Sequence, residues 1–192
     1  MLPAVTDPAT FHILLEGALA PTASTCSLIV DGEALIVVDP GLSPAQSAIT
    51  DPLRSLGFTP AAITDVVISH HHPDHALNVA LFPAARVHDH WAIYDFRGRW
   101  DDVESEGRPV SPNVSLIRTP GHTREDISTV AQTADGTVVF THAWWTANKP
   151  VDDPYSPDLA LLRASRARIL GMAAVIVPGH GAPFRPAPTT PR

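Results

Sequence analysis

Ser69-His70-His71-His72-Pro73-Asp74-His75 is the stretch on which the reading of this chain turns. It has the spacing HxHxDH and follows residues 63–68, an apolar run with the character of a buried strand. Side chains alternate in an extended segment, so His70 and His72 fall on one side and His71 on the other. Pro73 disfavours a helical conformation at His72 and suits the first turn of a helix, so Asp74 and His75 leave in a different direction. One pair of ligands can then face one metal and the next pair a second. Imidazole and carboxylate are donors for Zn, Fe, Mn and Co, and no nearby cysteine suggests a structural zinc knuckle.

Working outward, histidine stands at three more predicted strand ends. Residues 114–118 run into His122, 137–140 into His142, and 173–177 into His180. Loops at strand ends carry chemistry on a rigid scaffold, so four such ends point to one convergent site. Asp31-Gly32 and Asp135-Gly136 sit between β-prone runs (28–30 with 34–38, 127–131 with 137–140) and predict two hairpins. A strand is expected around 85–88 and a short helix over 74–81. Ala45, Ile49, Leu53 and Leu56 predict a helix over 43–56, closed by Gly57 and with Pro52 as a kink point. Residues 157–170 read as another helix, its apolar side interrupted by Arg166. This order gives sheets with helices outside, an α/β layering. No internal boundary is visible, so residues 1–185 are taken as one domain. The proline-rich end from 182, with 186–192 as a tail, is expected to be loosely held.

The composition narrows the function. Thirteen Lys and Arg against twenty Asp and Glu give a net charge of −7 over 192 residues, and Lys149 is the sole lysine. That balance argues against broad nucleic-acid binding. Cys26 alone cannot form an internal disulfide, which fits a reducing compartment. No basic region followed by an apolar run occupies residues 1–10, and no apolar stretch reaches membrane-spanning length. A cytoplasmic protein without membrane contact is the expectation.

HxHxDH, then Thr119-Pro120-Gly121-His122-Thr123, then Pro178-Gly179-His180-Gly181, resembles the metallo-β-lactamase superfamily. Residues 36–41, Ile-Val-Val-Asp-Pro-Gly, resemble its early strand and loop, and the likeness spans about residues 12–185. The resemblance implies a four-layer αββα sandwich with metals at one edge of its two sheets. Carried over, His70, His72 and His122 would hold one ion and Asp74, His75 and His180 the other. It implies two zinc ions, with iron or manganese as alternatives, and a hydroxide that attacks a carbonyl or phosphorus centre. Asp74 would also orient the nucleophile or shuttle a proton, and Asp39 would hold a ligand imidazole in orientation.

One departure stands out. Two-metal members of the superfamily usually place a bridging aspartate where this chain has His142. A carboxylate spans two ions, whereas a neutral imidazole offers one lone pair to one ion. His142 can be a terminal ligand, or the chain can hold one ion tightly and the other weakly. A shifted loop register would instead bring back Asp152 or Asp153, and His142 could also simply pack beside Trp144.

His71 should point away from the ligands, and His12, His88 and His90 read as structural or surface groups. Trp91, Tyr94, Trp100, Trp144, Trp145 and Tyr155 fall in or beside predicted loops, with Trp144 and Trp145 the pocket candidates. Cys26 is expected to be buried, and the pairs Asp101-Asp102 and Asp152-Asp153 to be solvated. The expected activity is hydrolysis of a small ester, thioester, lactone, amide or phosphodiester. A mononuclear iron oxygenase and a metal- or ligand-binding protein without turnover are the alternatives. The length leaves no room for the added domains of family nucleases or thioesterases, so a small-molecule substrate fits best.

Overall fold

Apolar residues alternate along the strands, and that alternation divides the interior into layers. The computed structural model describes residues 7–192, so residues 1–6 of the segment read as leader-free lie outside the description. The strands begin with β1 (Thr10–Leu15), β2 (Ala18–Leu19), β3 (Thr22–Ala23), β4 (Cys26–Asp31), β5 (Ala34–Val38) and β6 (Asp65–Val67). They continue with β7 (Arg86–His88), β8 (Ala92–Asp95), β9 (Trp100–Asp102), β10 (Pro109–Ser111), β11 (Val114–Arg118), β12 (Ile127–Thr133), β13 (Gly136–Thr141) and β14 (Val175–Pro178). The helices are α1 (Ser47–Ser55), α2 (Pro73–Ala76) and α3 (Leu159–Leu170).

One sheet has the order β1-β4-β5-β6-β7-β8-β9 and the other β10-β11-β12-β13-β14, with β2-β3 a separate hairpin. Ile29, Ile36, Val38 and Val67 from the first sheet meet Leu116, Ile127, Val138, Phe140 and Val177 from the second. Their sequence neighbours turn outward. Leu28, Val37 and Val66 pack with Ile49 and Leu53 of α1. Ile117, Val139 and Ile176 pack with Leu162 and Ile169 of α3. Two sheets face to face with a helix on each outer side make the αββα sandwich. Both Asp-Gly hairpins form, as β4–β5 and β12–β13. The pairs β5–β6, β6–β7 and β13–β14 are parallel. Among the described residues no helix is long and apolar enough to cross a membrane.

Three expectations change. Tyr94 and Trp100 lie on paired strands β8 and β9 rather than in loops, their rings stacked 4.9 Å apart. Many of the residues in this edge hairpin are polar or exposed, so it shows no period-2 burial signal. The chain end is not loose: Ile176 and Phe184 exchange backbone hydrogen bonds of 2.8 and 2.9 Å, and Trp144 Nε1 donates to the Pro191 carbonyl at 2.9 Å. Finally, Arg166 is completely buried on α3. Its guanidinium donates to the carbonyls of Ala143, Pro150 and Val151 at 2.6–2.8 Å and lies over the Trp144 ring. The apparent flaw in the helix face is therefore a clamp on the loop after β13.

Candidate metal centre

Five strand ends open onto one edge of the sandwich. Asp39 follows β5, Ser69 and His70 follow β6, and His122, His142 and His180 follow β11, β13 and β14. Asp39 adopts a left-handed backbone conformation with φ 52°, which an aspartate tolerates better than bulkier residues. Its Oδ1 accepts from the Ser69 amide at 2.7 Å. Its Oδ2 accepts from the Ser69 hydroxyl at 2.8 Å and from His75 Nδ1 at 2.9 Å. The Asp39 loop lies directly against α2: the Leu42 amide donates to the Asp74 carbonyl at 3.2 Å. A Cβ at Gly41 would collide with that carbonyl, so only glycine fits.

His72 is extended (ψ 143°) and Pro73 opens α2, the local geometry that separates the two halves of HxHxDH. His72 Nδ1 lies 3.0 Å from both His70 Nε2 and His122 Nε2. Asp74 Oδ2 lies 3.5 Å from both His75 Nε2 and His180 Nε2. His142 sits between these two groups. Its Nε2 is 3.1 Å from His180 Nε2, and its ring centroid is 4.2 Å from His122 and 4.6 Å from His70. Gly179 makes room for it, since a Cβ there would strike the His142 ring. The structure thus brings all seven candidate ligands together.

The hydrogen bonds behind these rings decide what faces inward. His75 Nδ1 meets Asp39, His122 Nδ1 meets Asp153 Oδ2 at 2.8 Å, and His180 Nδ1 meets the Ala23 carbonyl at 2.8 Å. His70 Nδ1 lies 3.1 Å from the Ser69 hydroxyl, whose proton goes to Asp39. Each such acceptor holds the proton on Nδ1, leaving the Nε2 lone pair aimed at the centre. Burial, followed by the neighbouring imidazoles, pushes His70 and His142 well below the ordinary histidine pKa; His72 and His180 are also lowered, chiefly by burial. The converging lone pairs outnumber the protons available to them: a proton on His72 Nδ1 serves His70 or His122 but not both, and among the described residues buried His75 Nε2 has no hydrogen-bond partner. This donor set fits metal ions. His70–His72–His122, Asp74–His75–His180 and His70–His75–His142 each bring their ligand atoms close enough to hold one.

Beside the centre, a cavity of about 430 Å³ is lined by His72, Asp74, His122, His142 and His180 at its base and by Leu19, Thr22, Trp145 and Tyr155 on its walls. Trp145 takes the place expected of it. Trp144 does not: it is fully buried and packs with α3 and Phe184. Asp153 was expected to be solvated, yet it is buried behind His122, whereas Asp152 is exposed and pairs with Arg163. The loop does bring an acid back, behind a ligand ring. His71 points away, bonded to Glu125 at 3.0 Å and stacked on Trp91. Asp126, 4.0 Å from His70 Nδ1, went unread in the sequence; burial pushes its carboxyl up to about 6. His88 is buried against Asp65 at 2.7 Å, a structural pair, and buried Cys26 has its thiol pKa raised by burial.

This fold and this strand-end cluster define a class. The chain belongs to the metallo-beta-lactamase superfamily, whose family model matches residues 19–143. Among curated proteins it is similar to metallo-beta-lactamase domain-containing protein 1. The Xenopus laevis relative is 33% identical, covering 93% of this chain and 82% of its own length; the human one is 35% identical, covering 96% and 71%. Among solved structures, a Thermotoga maritima protein assigned to the metallo-beta-lactamases superposes with TM-score 0.73 at 22% identity, covering 93% of this chain and all of that one. B. thuringiensis AiiA with N-decanoyl-L-homoserine at its active site gives 0.66 at 19%, covering 91% and 93%. These two structures show the fold.

Proposed function

We propose that the chain is a metal-dependent hydrolase acting on a small ester, thioester, lactone, amide or phosphodiester. The observation that carries this is the convergence of imidazole nitrogens 3.0–3.1 Å apart, with more lone pairs than protons between them, at the foot of an open cavity. His70, His72 and His122 would hold one ion, and Asp74, His75 and His180 a second, with zinc the first candidate and iron or manganese behind it. His142 would serve as a terminal ligand between them. Held there, such an ion lowers the pKa of water toward neutrality and polarises a carbonyl or phosphoryl oxygen.

The chain's own groups do the rest. Asp39, Asp153 and the Ala23 carbonyl fix three ligand rings in orientation, so little reorganisation accompanies reaction. Asp74 lines the cavity with part of its carboxylate open. It would take a proton from the attacking water and return it to the leaving group as the scissile bond breaks. Trp145 and Tyr155 shield one side from bulk water. A small-molecule substrate and a cytoplasmic setting complete the reading, supported by the net charge of −7 and the single buried cysteine.

An iron oxygenase is the second reading. The Asp74–His75–His180 set favours it, because two imidazoles and one carboxylate are the donors of many non-haem iron sites. Asp74→Asn separates the readings in zinc-loaded protein screened against esters and phosphodiesters. Loss of turnover by about 100-fold or more with metal retained supports the hydrolase. Undiminished turnover removes Asp74 from the chemistry, and turnover only with iron and dioxygen favours the oxygenase.

A further inference from the structure

The cavity walls differ sharply from its base. On one side the indole of Trp145 stacks on the Tyr155 ring, centroids 5.8 Å apart and planes 24° from parallel. Tyr155 is 70% exposed, an unusual state for a ring fixed in this way. Leu19, beside the turn of the β2–β3 hairpin, lines the same cavity and is 42% exposed. Two large apolar groups therefore flank the mouth, and neither is covered by the chain.

The aromatic side is anchored through the Trp145 indole and the Tyr155 backbone. Asp153 Oδ2 accepts from Trp145 Nε1 at 3.1 Å as well as from His122 Nδ1, and Oδ1 accepts from the Tyr155 amide at 2.9 Å. One buried carboxylate thus ties the Trp145 indole and the Tyr155 backbone to a candidate ligand. Arg166 clamps the same loop through the carbonyls of Ala143, Pro150 and Val151. A pre-ordered flat face loses little entropy when a second flat group lies on it.

Charge selects further. None of the described residues lining the cavity is Lys or Arg, and the one charged side chain there is Asp74. A substrate with an anionic group away from the scissile bond would find no countercharge on the walls.

We propose that the Trp145–Tyr155 face, in the cavity that Leu19 also lines, is a docking wall for an uncharged planar group carried by the substrate beside its scissile bond. An aryl or similarly flat ester, thioester or amide suits it, and a polyanionic substrate does not. This deepens the hydrolase reading and rests on it for the scissile bond, while the docking itself can be measured without turnover.

The probe is 2-naphthol, the alcohol released from a 2-naphthyl ester, titrated calorimetrically into zinc-loaded protein. Tyr155→Ala removes an exposed ring and leaves the core intact; Trp145→Phe keeps a flat face but loses the bond to Asp153. Binding weakened about three- to tenfold by Tyr155→Ala, with 6-hydroxy-2-naphthalenesulfonate weaker than 2-naphthol, supports the proposal. A smaller loss in Trp145→Phe than in Trp145→Ala supports a stacking role for that ring. Absent binding, or affinity that ignores Tyr155 and Trp145, overturns it. If 2-naphthol binds as expected but no ester is cleaved, the docking wall stands and the hydrolase reading fails. If esters are cleaved without any dependence on these rings, the reverse holds.

Discussion

His142 Nε2 and His180 Nε2 lie 3.1 Å apart. The Ala23 carbonyl holds the His180 proton on Nδ1, so its Nε2 presents a lone pair to His142. Either His142 donates a proton across this gap or both nitrogens turn toward a shared cation. In both arrangements His142 Nδ1 is buried with no hydrogen-bond partner among the described residues. Burial disfavours the charged ring in both arrangements, and the second is the one that puts both Nε2 lone pairs on one cation.

Replacing His142 with aspartate restores a group able to span two ions. His142→Asp is expected to retain the second ion through dialysis that strips it from the wild type, as read by elemental analysis. Equal retention in both proteins would show that residue 142 does not govern the second ion.

Asp39 orients His75 and anchors Ser69 behind His70. Asp39→Asn keeps the size but loses the charge, and zinc affinity should fall by about 10- to 100-fold in a chelator competition. An unchanged affinity would remove Asp39 from any role in the site.

Arg166 offers a stability test away from the ligands. Arg166→Met fills much of the volume but strands the carbonyls of Ala143, Pro150 and Val151, at a cost of about 3 kcal/mol. Urea denaturation measures this. A loss under 1 kcal/mol would mean that water replaces the guanidinium at little cost.

Asp31 latches the two sheets together at the opposite end. It ends β4 and accepts from the Ser111 hydroxyl, the Asn113 amide at 2.8 Å and the Asn113 side chain at 2.7 Å. Burial raises its pKa, but these hydrogen bonds outweigh burial and the net shift is downward. A depressed carboxylate stabilises the fold fully above its unfolded pKa, about 3.9, and that contribution is lost as pH falls through the folded value. Asp31→Ala should therefore cost about 1–3 kcal/mol at pH 7, with the gap to wild type narrowing at pH 3 and below. A gap independent of pH would assign the effect to packing.

Much of this was legible beforehand because it depends on local pattern. The Asp-Gly hairpins, the strand over 114–118 and the two directions of HxHxDH follow from backbone periodicity, turn chemistry and Pro73. What escaped depends on partners distant in sequence. Asp153 lies 31 residues from His122, and nothing near it in the sequence distinguishes it from its exposed neighbour Asp152. Arg166 interrupts an apolar face, and only the loop it clamps explains its burial. Trp144 and Trp145 are adjacent and chemically alike, so nothing local shows that Trp145 lines the cavity while Trp144 is buried.

The most direct test is metal content in tag-free protein, purified without added metal and then reloaded with zinc. Under the dinuclear reading two ions per chain are expected, the second held more weakly than the first and lost when His180 is replaced with alanine. No metal above trace after reloading would contradict it, because the converging lone pairs would then have no cation to bind.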